Sequence, residues 1–206
     1  MCIRDSDIAR KHHVYLCSGL TEKEDSHIFN AAVIINDKGE VLIKHRKLNE
    51  LTIAHDVYSC GDRLNVCSTP YGKFGLMICA DANAREHSLT RALCYMGADV
   101  ILSPASWAVQ PDHDNNKDPY GAMWRKAYFP VAKEFSVWIA GCSNVGPITD
   151  GPWKGWRCIG CSLVVDPQGK EVVMGPYGMN AETILYVDVS PVKRPTWGNG
   201  WDTYKP

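Results

Sequence analysis

The chain has 206 residues, of which 45% are hydrophobic and 22% charged, and its formal net charge is −1. That length suits one sizeable core or at most two small ones. Near-neutral charge with interspersed acids and bases excludes a nucleic acid backbone or an anionic membrane surface as partner, and no apolar run approaches the roughly 20 residues that cross a bilayer.

Met1-Cys2-Ile3-Arg4-Asp5-Ser6 shows no strand or helix period, and from about Asp7 the chain reads as the end of a helix. Residues 1–6 are therefore expected to be non-native, and the domain is expected to be residues 7–206 of a fragment that has lost its original N-terminus. An apolar run at residues 14–20 fits a buried strand. Residues 30–35 and 40–45 flank Asn36-Asp37-Lys38-Gly39 and predict a hairpin. Residues 65–69 and 73–79 form a further pair around Pro70-Tyr71-Gly72. Leu89, Ala92, Leu93 and Met96 recur at helical spacing, with Gly97 closing the helix. A buried strand at 99–104 follows, then a helix over 119–134 with Met123, Trp124, Ala127, Tyr128 and Val131 on one face. Residues 137–141 are the next strand. Residues 162–165 and 171–174 flank Asp166-Pro167-Gln168-Gly169 as a second hairpin, and 184–189 is the last strand. The tail at 191–206, with proline, glycine and tryptophan, is expected to wrap over a neighbour or a second subunit. Strands and helices alternating in this way predict one mixed α/β layered domain.

Nine cysteines are scattered on apolar segments, among them Cys17, Cys94 and Cys142. That pattern points to free thiols in a reducing cytoplasm. Cys158-Ile159-Gly160-Cys161 has the spacing of a redox pair or half a zinc site, yet it lacks a convincing second pair and runs into an apolar strand. Asp112-His113-Asp114-Asn115-Asn116 reads as a polar loop before the second helix.

Cys79 stands apart. It ends the glycine-flanked run Lys73-Phe74-Gly75-Leu76-Met77-Ile78-Cys79-Ala80-Asp81, and a helix is expected from about Ala84. A thiol at a strand-to-helix elbow is held by the sheet, open to a pocket and close to main-chain N–H groups. The local pattern leaves two readings, a nucleophile or a packing cysteine. Lys47, after the strand at 40–45, is the cation best placed to favour a thiolate; the alternative is a solvated basic cluster with Lys44 and Arg46.

Taken together, these motifs resemble the nitrilase superfamily of carbon–nitrogen hydrolases. The resemblance rests on Arg46-Lys47-Leu48, Asp56 five positions before Gly61, and the Cys79 motif with Glu86 beyond it. Met96-Gly97-Ala98-Asp99, Ser103-Pro104, the run from Ala140 to Gly146, and Gly160-Cys161-Ser162 with Asp166-Pro167 extend it to the last strand. The 32 positions between Lys47 and Cys79 are close to the family's spacing. The resemblance implies an α-β-β-α sandwich of two mixed sheets, here lacking the first strand and helix. It also implies a glutamate–lysine–cysteine trio with a second, supporting acid. Lys47 is then the lysine and Cys79 the nucleophile. Asp56 takes the supporting acid's place, with Glu50 as the fallback.

The general-base glutamate of the family stands farther upstream of its lysine than the 46 residues before Lys47 reach, and neither Glu22 nor Glu24 is a natural substitute. The implied chemistry is hydrolysis of a small-molecule amide or carbamoyl group through a cysteine thioester, with the Ala80 N–H helping to bind the oxyanion. Trp107 lines the acyl site or belongs to the core. No metal or organic cofactor is implied, and a homo-oligomer is. Ala80 and Asp81 after the cysteine look more like the amidase and carbamoylase branches than like true nitrilases. The alternative is a non-catalytic binding or assembly module on the same fold.

Overall fold

A computed structural model describes residues 3–192. Helix α1 (Ile3–His12) contains Ile3 to Ser6, which the sequence pattern had left without a helix period. Asp5 in its first turn and Arg10, Lys11 and His12 in its last complement the helix dipole. Ala9 is fully buried against the sheet below, and Arg10 bonds the Lys38 carbonyl. Tertiary contact supplies what periodicity did not.

Three antiparallel strands follow: β1 (Leu16–Glu24), β2 (His27–Ile35) and β3 (Val41–Arg46). β1 runs further than expected and is only half-buried. Glu22 and Glu24, beyond the expected strand end, lie on β1, and both pair with Arg46 of β3. Strand β2 is apolar on both faces. Val33 and Ile35 meet α1, while Ala32 and Ile34 face the interior.

The larger sheet begins with β4 (Val66–Thr69) and β5 (Gly72–Leu76). A 3-10 turn at Cys79–Asn83 and another at Arg85–His87 lead into α2 (Ser88–Tyr95), so the α-helix starts later than the expected Ala84. The chain continues through β6 (Val100–Ala105), β7 (Ala108–Val109), α3 (Gly121–Phe135), β8 (Trp138–Ser143), β9 (Val145–Pro147) and β10 (Arg157–Ile159). The hairpin of β11 (Leu163–Val165) and β12 (Glu171–Met174) completes it. Six strands pair in the order β12-β11-β8-β6-β5-β4, with β5, β6 and β8 parallel and the outer pairs antiparallel. β7, β10 and β9 form a small sheet of their own. These last three short strands carry too few residues to show an alternating pattern.

Two cores result. Ala32, Ile34 and Ile43 pack against Leu76 and Ile78, which glues the two main sheets together. On the far side of the larger sheet, Met77, Ile101 and Ile139 pack against Leu93 of α2 and Trp124, Tyr128 and Val131 of α3. Met123 and Met96, expected on the apolar faces, are exposed. Full burial of each large side chain contributes about 1.5–3 kcal/mol, well above an exposed ion pair. The layers therefore run α1, three-stranded sheet, six-stranded sheet, α2 with α3, which is the expected α-β-β-α sandwich. The strand expected at 184–189 is not formed among the described residues. Its apolar run Ile184-Leu185-Tyr186-Val187 is strand-like, but Ile184 and Tyr186 are 75% and 89% exposed. Most of the tail at 191–206 lies outside the described residues.

Candidate active site

The parallel strands β5, β6 and β8 end on one side of the larger sheet, and open α/β sheets bind ligands at such carboxyl ends. Three residues beyond β5 the chain turns sharply at Cys79, whose φ of +45° is left-handed. A non-glycine residue there costs about 1–3 kcal/mol, so the turn must be held by its neighbours. The Asp81 N–H donates to the Ile78 carbonyl at 2.9 Å, and the Ile78 N–H donates to Asp81 Oδ2 at 2.9 Å, closing the elbow from both sides. Cys79 touches both cores, so its thiol lies where the two main sheets and the α2–α3 layer meet.

Lys47 arrives from the other sheet. Along β3 the residues facing inward are Ile43 and His45, and the same alternation brings Lys47 inward just past the strand end. Lys47 is 4% exposed and its Nζ lies 3.0 Å from Glu50 Oε2. Its backbone is pinned too. The Lys47 N–H donates to the Asn30 carbonyl, and the Gly61 N–H donates to the Lys47 carbonyl at 2.8 Å. A Cβ on Gly61 would stand 2.1 Å from the Arg46 carbonyl oxygen, so only glycine lets the two segments touch.

The thiol feels opposing influences. Burial pushes the Cys79 thiol up from its ordinary value. Lys47 pulls it down, as do the N–H groups of Ser106 and Ala80, while Asp81 adds a smaller upward push. Ser106 follows β6, so the second N–H comes from the next parallel strand end.

The sequence-predicted residues divide clearly. Cys79, Lys47 and the Ala80 N–H come together. Asp56 does not join them: it is exposed in the segment after the 3-10 turn at Thr52–Ala54. The carboxylate at Lys47 is that of Glu50, and its Oε1 is buried without a hydrogen-bond partner among the described residues. Trp107 is fully buried, its ring stacked on Trp124 at 4.4 Å between ring centroids, and its main-chain N–H donates to Ser143 Oγ. Its ring lies in the core. Tyr120, 6.3 Å from the Trp107 ring, is within electrostatic reach of Cys79, and burial pushes its hydroxyl up. Cys158 and Cys161 are buried thiols, and Cys161 is part of the core behind the sheet.

Two residues without an assigned role prove central. His45 Nε2 lies 2.8 Å from Asp81 Oδ2, both side chains being fully buried. Asp81 Oδ1 accepts from the Leu48 N–H at 3.1 Å and the Asn49 N–H at 2.8 Å. The signal was present: Ile43, His45 and Lys47 share one face of an alternating strand.

Comparison with known proteins bears on the fold and the family. The chain is 29% identical over 196 residues to the omega-amidase of Mus musculus, covering 89% of this chain and 64% of that protein. It is 38% identical over 138 residues to nitrilase 1 of Arabidopsis thaliana, covering 66% of this chain and 36% of the relative. The fold matches a carbon-nitrogen hydrolase from Helicobacter pylori G27 with a TM-score of 0.75 at 23% identity, over 84% of this chain and 61% of that one. The chain thus spans about three-fifths of the length of the first curated relatives it matches. Residues 4–198 match the Carbon-nitrogen hydrolase family, and with that match the chain belongs to this family, within the nitrilase superfamily.

Proposed function

We propose that this protein hydrolyses a carbon–nitrogen bond of a small-molecule amide or carbamoyl compound, with Cys79 as nucleophile. The observation that carries the reading is the convergence on one strained elbow of a buried ammonium and two main-chain N–H groups. The Cys79 thiolate attacks the carbonyl carbon and the C–N π-conjugated amide becomes tetrahedral. Negative charge on the former carbonyl oxygen is met by the Lys47 ammonium and the Ala80 N–H. The C–N bond breaks, the amine or ammonia leaves with a proton, and a thioester on Cys79 remains. Water adds to the thioester, releasing the carboxylic or carbamic acid and returning the thiol.

Glu50 takes the supporting role, in preference to Asp56. One of its oxygens holds Lys47 and the other is left to accept a substrate N–H. Tyr120 walls the acyl site, with Trp107 behind it. Asp81 is fully bonded and Glu50 holds Lys47, so neither is read as the acceptor of the thiol proton, and the 206 residues alone are expected not to turn over. Amidase-named relatives support the amide reading over the nitrile one, as does Ala80-Asp81 after the cysteine. A reducing, cytoplasmic setting and a homo-oligomer belong to the same reading, supported by exposed Cys60 and Cys142 and by the apolar side chains presented at 184–192.

The test is ammonia release from short aliphatic amides and N-carbamoyl compounds. A form extended by the upstream in-frame coding sequence is expected to be active, the 206-residue chain inactive, and the extended Cys79→Ala variant dead. Hydrolysis surviving Cys79→Ala overturns the reading.

A further inference from the structure

Cys79 and Lys47 belong to different sheets, and the fold must keep a strained elbow and a buried lysine in one frame. The side chain that links them is Asp81. Its four acceptor positions are all used: two by the N–H groups of Leu48 and Asn49, which follow Lys47, one by the N–H of Ile78, which precedes Cys79, and one by His45 of β3. Asn49 adds a second strap, its Nδ2 donating to the Ala80 carbonyl at 2.6 Å. His45 Nδ1 is buried with no partner among the described residues. A proton there would be an unsatisfied buried donor, so the ring's useful donor is Nε2, aimed at Asp81.

We propose that Asp81, oriented by His45, is a positioning residue that couples the Lys47 loop to the Cys79 elbow, so that the influence of Lys47 on the thiol depends on a carboxylate the reaction does not consume. The inference rests on the reading of Lys47 as the activator of Cys79. Asparagine fits the space but not the task. Its single carbonyl oxygen serves the loop or the elbow, while its amide presents hydrogens to the remaining donors.

Among the described residues, the charged and titratable groups facing Cys79 are Lys47, Asp81, Tyr120 and Tyr128. Asp81 also acts on the thiol through its own charge, so a single variant does not separate position from charge. A double-mutant comparison does. The 206-residue chain is treated with iodoacetamide across a pH series, and alkylation of the Cys79 peptide is followed by mass spectrometry with exposed Cys60 as internal reference. Lys47→Met combined with Glu50→Gln removes both buried charges together, avoiding an unpaired one. In the otherwise unaltered chain this pair raises the midpoint of Cys79 alkylation by about one pH unit or more. In the Asp81→Asn background the same pair moves the midpoint by less than half as much.

An undiminished shift in Asp81→Asn overturns the coupling, even where both midpoints fall through loss of the Asp81 charge. If circular dichroism shows Asp81→Asn unfolded, His45→Gln and His45→Leu carry the comparison. Glutamine keeps a donor for Asp81 and retains the Lys47-dependent shift, whereas leucine loses it, and equal shifts in the two overturn the proposal. No shift in the unaltered chain defeats the reading of Lys47 itself, and the coupling with it.

Discussion

Cys17 lies within β1, opposite Ile34, and Cys79 lies at the elbow beyond β5. Both are half-buried thiols touching the core between the sheets. Around Cys17 burial acts with nothing to oppose it; together with nearby Cys142 it pushes the thiol up to about 12. Around Cys79 burial acts in the same direction, but Lys47 and two N–H groups answer it. Burial alone makes a cysteine inert. What distinguishes the elbow is that a cation from one sheet and donors from two strand ends of the other are delivered to the same sulfur.

The largest effect expected from that contrast is a loss. In the extended form, Cys79→Ala abolishes amide hydrolysis while Cys17→Ala leaves it within a factor of two, roughly the scale of a packing change. Next comes the cation. Replacing Lys47 and Glu50 together by methionine and glutamine lowers kcat/KM by about 10²–10³-fold, the scale of one lost oxyanion donor. Cys17 alkylation does not change in the same variant. Gly61→Ala is smaller and acts on the frame: forcing a Cβ against Arg46 costs about 1–3 kcal/mol, read from the denaturant midpoint. It also slows Cys79 alkylation at pH 8 and spares Cys17.

The smallest effect probes the outer rim beside Lys47. Arg46, first, and Lys44 hold the Glu22 carboxyl down at about 2 through hydrogen bonds. A carboxyl lowered by folding adds stability above its unfolded value, near 4.5, and loses that contribution as pH falls toward 2. Thermal unfolding of Glu22→Gln therefore lies slightly below that of the unaltered chain at pH 7, and the gap closes between pH 4.5 and 2. Cys79 reactivity is expected to be the same in both, since the rim pairs do not reach the thiol.

The order of the main strands, helices α2 and α3 and the Cys79 elbow were legible because each is set locally, by alternation, helical spacing or a glycine-flanked run. The layered fold and the pairing of Lys47 with Cys79 followed from resemblance in motif order. What stayed hidden depended on tertiary contact. Helix α1 starts at Ile3 because Ala9 is buried by β2, which no local period announces. The supporting acid was read at Asp56 from spacing to Gly61, yet Gly61 serves the backbone of Arg46 and Lys47, and the turn after Lys47 brings Glu50 to the ammonium. Residues 184–189 carry a strand-like apolar run without pairing as a strand. Asp81 was visible as part of a motif, but three of its four partners come from residues 45–49, on the other sheet and the turn beyond it.

The central claim is that Cys79 carries the acyl group during carbon–nitrogen cleavage. Its most direct test is the mass of the Cys79 peptide from the extended form, quenched in acid during turnover of a simple amide. The account predicts a peptide heavier by the acyl group, removed by hydroxylamine and absent from Cys79→Ala. Turnover with an unmodified Cys79 peptide, or an acyl group on another residue, would contradict it.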